Sequence, residues 1–240
     1  MKKLLHLVQG EILRLWRYKI LFFGALVSFI WVIIIGFSDL ATAKMLAPSL
    51  VMMDAGMMSI ILLGSGFFLE KQEGSMAAIL VSPVKMSLVL IAKIISALVV
   101  AYISFFIVMG SIAIFYGFVF QPLLMFFYVT LMVLAHSAIG FLLSLHAKDF
   151  LQMLMRSMGL ILLFVSPILL MALDIIPSSL EFFVYFSPSY AGQVLFNSTF
   201  DGASIESWAR LLSIFALIAI PAIIYPLFVV KQFEKVAMEG

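Results

Sequence analysis

Glu70-Lys71-Gln72-Glu73-Gly74-Ser75-Met76-Ala77-Ala78-Ile79-Leu80-Val81-Ser82-Pro83 is a polar turn followed by a short cappable helix, set between two apolar runs of membrane-crossing length. A chain that only had to reverse direction would use fewer residues. Ser75 is placed to cap a helix ending near Leu80, Gly74 permits a tight entry, and Ser82-Pro83 closes it, because proline disfavours helix at the residue before it. Met76, Ile79 and Leu80 then form an apolar face on about two turns, a length that is not stable alone. The pattern predicts a small helix that docks, either on the protein's own helices or in a partner's groove.

The rest of the chain fixes the solvent in which this element works. Of 240 residues 65% are hydrophobic and 11% charged, against about 25% charged in a soluble domain, and the mean hydropathy is +1.25. Cysteine is absent, which removes disulfides, thiolate metal sites and thiol nucleophiles. A net charge of +2 does not support a nucleic acid partner. The expectation is one all-α polytopic membrane domain in contact with the lipid bilayer.

A helix crossing a hydrocarbon core of about 30 Å needs roughly 20 mostly apolar residues. Six segments qualify: 20–37, 48–69, 88–118, 122–145, 155–173 and 211–230. Residues 1–19 precede them, 70–87 form the polar connection, and 174–210 form a long segment before the last span. Basic residues resist translocation. With the amino terminus cytoplasmic, 12 of the 14 basic residues fall on the inner side and only Lys44 and Arg210 outside. Both termini are therefore expected in the cytoplasm, in a plasma (inner) membrane. A cleaved signal peptide is the competing reading of the first span, with Ala41-Thr42-Ala43 as its cleavage site, but the run of about 18 apolar residues exceeds the usual 7–15. Asn197-Ser198-Thr199 is a formal glycosylation sequon, a pattern short enough to arise by chance.

Ahead of the first span, Leu4, Leu5, Val8, Ile12, Leu15 and Trp16 share one side of a helical wheel, opposite Lys2, Lys3, His6, Gln9, Arg14 and Arg17, with Leu7 and Leu13 as exceptions. That is the pattern of an interfacial helix with basic residues towards anionic headgroups, whereas a topology signal alone needs charge but not this spacing. Within the second span, Asp54 lies among Met52, Met53, Met57 and Met58. An ionised carboxylate there costs about 2.5–3.5 kcal/mol on insertion scales. Asp54, Met53 and Met57 are accordingly candidates for a transport path with an adaptable thioether wall. Alternatively, Asp54 hydrogen-bonds a neighbouring helix near the outer interface. His136, in the fourth span, is a further path candidate or an interhelical hydrogen-bonder, and Ser137, Gly140 and Ser144 read as small residues for close helix packing. The apolar run Phe182-Phe183-Val184-Tyr185-Phe186 predicts re-entrant or capping helices, since non-helical backbone at membrane depth must be covered by protein.

At Glu70, Lys71, Gly74, Ser75, Met76, Ile79, Leu80, Ser82, Pro83 and Val84, and at Lys93 about ten residues further on, the chain resembles the permease subunits of the ABC-2 transporter family, the exporters of type V fold. Ile176-Pro177-Ser178-Ser179-Leu180 and Phe186-Ser187-Pro188-Ser189-Tyr190 are similar to that family's external segment. Ala77 departs from it, standing where many relatives carry an acid. The resemblance implies six spans, a homodimer or pseudo-dimer of permeases, and a separate ABC ATPase subunit whose cleft receives the short helix. Coupling then falls to Glu70, Glu73, Gly74, Ser75, Met76, Ile79, Leu80 and Pro83, although Glu70 and Glu73 read equally well as solvated turn residues. The chain has no Gly-x-x-x-x-Gly-Lys-Ser/Thr loop, so ATP and Mg are expected on the partner, with no cofactor and no catalytic or metal-ligating residue here.

The function implied is export of an amphipathic small molecule, drug or peptide. A haem-related permease of cytochrome maturation is the alternative within the family. An ion-coupled carrier would show more intramembrane carboxylates or internal repeats. An intramembrane serine protease is disfavoured because Gly64-Ser65-Gly66 lacks a Gly-x-Ser-Gly arrangement and a catalytic His context. A structural membrane scaffold would not need the docking helix.

Overall fold

The structure is a computed structural model describing residues 2–74 and 84–230. The helix expected between Ser75 and Leu80, with Met76, Ile79 and Pro83, lies outside the described residues. Helix α1 (Lys2–Arg17) is followed by α2 (Ile20–Gly36) after a 67° bend. Lys19 makes the bend possible by adopting φ 58°, in the left-handed region. Next come α3 (Leu40–Val51), a π-helical turn (Met52–Met57) and α4 (Met58–Gln72), together one uninterrupted rod from Leu40 to Gln72. Helices α5 (Met86–Tyr116), α6 (Pro122–His146) and α7 (Phe150–Ala172) follow. A 3₁₀ turn (Ser178–Leu180), α8 (Glu181–Val184) and α9 (Pro188–Asn197) lead to α10 (Ser207–Ile224), which ends in a second π turn (Tyr225–Val229).

Five of these rods are long and apolar enough to cross a membrane, and α1 with α2 supplies a sixth when the bent pair counts as one. No strand occurs among the described residues; a single antiparallel bridge joins Phe120 to Phe200. The chain is an all-α polytopic membrane protein.

Two side-by-side parallel pairs organise the core. Gly24 meets Val100, Ser28 meets Ser104 and Gly36 meets Phe115, so α2 and α5 run in the same direction. Gly56 meets Met132 and His136, Gly64 meets Gly140, and Phe67 packs edge-on to Phe141, so the Leu40–Gln72 rod and α6 are parallel as well. Small residues permit the approach: a Cβ on Gly140 would stand 2.7 Å from the carbonyl oxygen of Ile60.

The rod begins at Leu40, upstream of the expected start at Pro48, because Asp39 caps it by accepting from the Thr42 N–H at 2.7 Å. Pro48 sits inside the helix, where it lacks an amide hydrogen. The π turn begins four residues later, a departure from α geometry that the sequence pattern did not announce. Asp54 consequently lies about 21 Å along the rod, near its middle, at about 1.5 Å per residue. Counted from Leu40 rather than from Pro48, Asp54 lies farther into its helix than the sequence suggested.

The segment before the last span re-enters the bundle. The Ser187 hydroxyl donates to the Phe164 carbonyl (3.0 Å), and Ser189 contacts His136, at the middle of α6. From there α9 returns to the N-terminal end of α6, where the Gln121 N–H donates to Thr199 (2.8 Å) and the Asp201 N–H to Val119 (2.9 Å).

Candidate coupling and transport sites

The first site is a buried ionic cluster at the end of α4. Glu70, 2% exposed, lies against Lys93 of α5, 3% exposed, at 2.5 Å. The same Lys93 Nζ reaches Glu11 of α1 at 2.9 Å, and Arg14 pairs with Glu11 at 3.1 Å and with Glu70. Among the described residues, two acids and two bases from three helices balance one another. This balance is what permits the buried Glu70 and Lys93 to stay charged, where an unpaired ion would be costly, while Arg14 reaches in from a partly exposed position. The reading of Glu70 as a solvated turn residue is therefore overturned. Glu73 is the exposed one, accepting from the Tyr18 hydroxyl at 3.1 Å. Gly74 adopts φ 68°, which glycine tolerates without a Cβ clash, and ends the described part of the rod.

The second site is the π turn. Asp54 is buried and accepts from the Ser28 hydroxyl (2.8 Å) and the Trp31 indole N–H (3.0 Å), both on α2. Ser28 also lies 2.9 Å from the hydroxyl of Ser104 on α5. The π turn thus ties the rod to the α2–α5 pair by neutral donors. Of its thioethers, Met57 is buried and Met53 is exposed on the outside of the bundle, so the two do not line one wall with Asp54.

His136 occupies the other side of the same turn, its ring 3.3 Å from where a Cβ on Gly56 would stand. Its Nδ1 donates to the Met132 carbonyl at 2.9 Å, which leaves Nε2 to accept from the Ser189 hydroxyl at 3.1 Å. The ring of Phe164 packs edge-on against it. The geometry is that of an interhelical hydrogen-bonder joining α6 to re-entrant α9. Asp54 and His136 therefore flank one π turn without touching each other.

Sequence reasoning missed Glu11, Arg14, Ser28, Trp31, Ser104 and Ser189 as site residues. The helical wheel puts Arg14 on the headgroup-facing side of α1. The available signal was Glu11, the one acid in an otherwise basic helix, together with Lys93 inside an apolar one.

On the re-entrant side, Glu181 accepts from Tyr185 and Tyr190, each at 2.9 Å, and Tyr185 packs edge-on to Trp208. Burial and the neighbouring Glu181 push both phenols above their ordinary range. This cluster fixes α8 and α9 to the start of α10.

No curated protein sequence matches the chain. The family model described as ABC-2 type transporter matches residues 2–200. That range starts in α1 and closes at the bridge between Phe120 and Phe200, taking in Glu11, Arg14, Asp54, Glu70, Lys93, His136 and Ser189. The cluster at the foot of α4 and the re-entrant α9 are thus features of a chain that belongs to the ABC-2 type transporter family, as one of its multi-pass membrane subunits.

Proposed function

We propose that this chain is the permease subunit of an ATP-driven exporter that moves an amphipathic small molecule, drug or peptide outward across the plasma membrane. Members of this family normally work with a separate ABC ATPase. In this reading two permease copies assemble with ATPase subunits that bind ATP and Mg, and both permease termini are cytoplasmic. The motor engages the short helix at Ser75–Leu80 through Met76, Ile79 and Leu80, with Pro83 setting its end.

One observation supports this reading above the others: the foot of the docking segment is ionically bound to two further helices. Force applied beyond Gly74 reaches Glu70, and through Lys93, Glu11 and Arg14 it reaches α5 and α1. Packed elements shift as units rather than deforming continuously. A nucleotide-driven push therefore moves α1, α4 and α5 together. Asp54 travels on the same rod, and the π turn lies where α2, α5 and α6 meet. Opening that meeting point exposes Asp54, Met57 and His136 to cargo, with Met53 at its lipid-facing edge.

The test is whether an ABC ATPase is encoded beside this chain and co-purifies with it. Met76→Asp or Leu80→Asp should abolish co-purification while membrane insertion persists. Export that continues with a hydrolysis-dead ATPase, or with none, overturns the proposal.

A further inference from the structure

The α1–α2 elbow carries an open groove of about 520 Å³ lined by Trp16, Arg17, Lys19 and Phe22. Among the described residues its lining holds two cations and no acid. Trp16 and Phe22 are 67% and 59% exposed, so both rings are open to whatever occupies the groove. Neither base belongs to the Glu11–Arg14–Glu70–Lys93 cluster, and both Arg17 and Lys19 are exposed. Arg17 also borders a second groove, with Arg14, Tyr18 and Glu73, where the acid accepts from Tyr18.

The groove continues into a stripe. Phe22, Leu26, Phe29 and Ile33 recur at helical spacing along α2 and are all exposed. From Phe22 to Ile33 the stripe is about 16 Å long at about 1.5 Å per residue, close to the roughly 15 Å of hydrocarbon in one leaflet. A charged recess thus opens onto an apolar track of acyl-chain length, with two aromatic rings at the junction, the place such rings favour in a bilayer.

We propose that this elbow is a binding site for an anionic phospholipid, with Arg17 and Lys19 holding the headgroup phosphate, Trp16 and Phe22 flanking the glycerol region, and an acyl chain lying along Leu26, Phe29 and Ile33. Two basic side chains and apolar walls complement a phosphate attached to hydrocarbon. A zwitterionic lipid brings its own cation to the same recess and loses that advantage. The site requires only that the chain is a membrane protein, and it stands or falls independently of the exporter reading.

The experiment uses the full chain in nanodiscs of phosphatidylcholine containing one-fifth phosphatidylglycerol. Brominated phosphatidylglycerol should quench wild-type tryptophan fluorescence more than brominated phosphatidylcholine does, and Trp16→Phe should remove that difference, leaving Trp31 and Trp208 as background. Arg17→Gln with Lys19→Gln should weaken phosphatidylglycerol retention in native mass spectrometry by roughly fivefold per residue. The charge-preserving Arg17→Lys with Lys19→Arg should retain it, which separates lost binding from lost folding. Lys148→Gln, an exposed base at the same end of the bundle, should change nothing. Retention of phosphatidylglycerol at wild-type levels in the Gln pair, equal loss in Lys148→Gln, or identical quenching by both brominated lipids overturns the assignment.

Discussion

Asp54 and Glu70 ride on one rod, 16 residues and about 24 Å apart, and both are buried, yet they are held in opposite ways. Glu70 sits among ions: Lys93 and Arg14 face it, and with Glu11 they form a cluster whose charges balance among the described residues. Asp54 sits among neutral donors, the Ser28 hydroxyl and the Trp31 indole. The contrast separates two tasks that a carboxylate can perform in a membrane bundle. A charge-balanced cluster resists being pulled apart, since each member stripped away leaves the others uncompensated. A carboxylate on hydroxyl and indole donors can let go of one donor and take another.

Neutralising each carboxylate in place gives the strongest test of that contrast. Glu70→Gln leaves Lys93 and Arg14 with one acid between them, and Lys93→Met leaves two acids with one guanidinium. Each should destabilise the fold by about 3–5 kcal/mol, the cost of breaking a buried pair from one side. Thermal unfolding in detergent measures it. The double variant Glu70→Met, Lys93→Met, which keeps the Glu11–Arg14 pair, should melt nearer to the wild type than either single change. Equal melting of all four proteins would sink the cluster as a structural lock.

Between the two carboxylates, the rod must stay seated against α6 for movement at Glu70 to reach Asp54. Gly140→Ala places a methyl group 2.7 Å from the Ile60 carbonyl oxygen and 3.0 Å from its Cα, both backbone atoms that cannot swing aside. A loss of about 1–3 kcal/mol is expected from such overpacking. Gly56→Ala meets chiefly the terminal methyl of Met132, the flexible end of a side chain, and should cost less. A larger loss at Gly56 than at Gly140 would show that the π turn, rather than the α4–α6 crossing, is the rigid point.

At Asp54, Asn keeps an acceptor for Trp31 and gains a donor for the Ser28–Ser104 pair, so Asp54→Asn should cost less than about 1 kcal/mol, the size of one ordinary hydrogen bond. Melting separates it from Glu70→Gln. Under the proposed function the same variant, and His136→Gln, should lower export while assembly stays normal. Unchanged export in both rejects their place on the cargo path.

What could be read from the residues follows from how local the physics is. Membrane-length apolar runs are a local property, and the all-helical bundle was legible in them. Asp54 was conspicuous because a carboxylate among methionines has no bland local explanation, but its partners Ser28 and Ser104 are small polar residues within apolar runs and carry no signal of where they point. The four-charge cluster was hidden for a related reason. Glu11 and Glu70 are far apart in sequence, and the helical wheel of α1 sorts Arg14 by its own helix's polarity, knowing nothing of the α5 surface that covers it. The π turn was illegible because Pro48 and the methionine run are equally compatible with an unbroken α-helix.

A third carboxylate, exposed and held by the Thr42 amide and hydroxyl rather than by ions, sets the smallest effect. Asp39 accepts from the Thr42 N–H, and that backbone hydrogen bond, followed by the Thr42 hydroxyl, holds its pKa below the ordinary carboxylate value. A carboxylate with a depressed folded-state pKa contributes stability that is fully present above the unfolded value of about 3.9. The contribution disappears as pH falls through the lower folded value. The Thr42 amide resonance should therefore titrate below pH of about 3.9 in the wild type. Asp39→Asn, which caps without ionising, should leave that resonance flat, and Asp39→Ala should loosen only the first turn of α3 and raise amide exchange there. Global melting at neutral pH should hardly move, in contrast to Glu70→Gln. A Thr42 resonance that titrates unchanged in Asp39→Asn would assign the proton to another group and remove Asp39 as the reason the rod starts at Leu40.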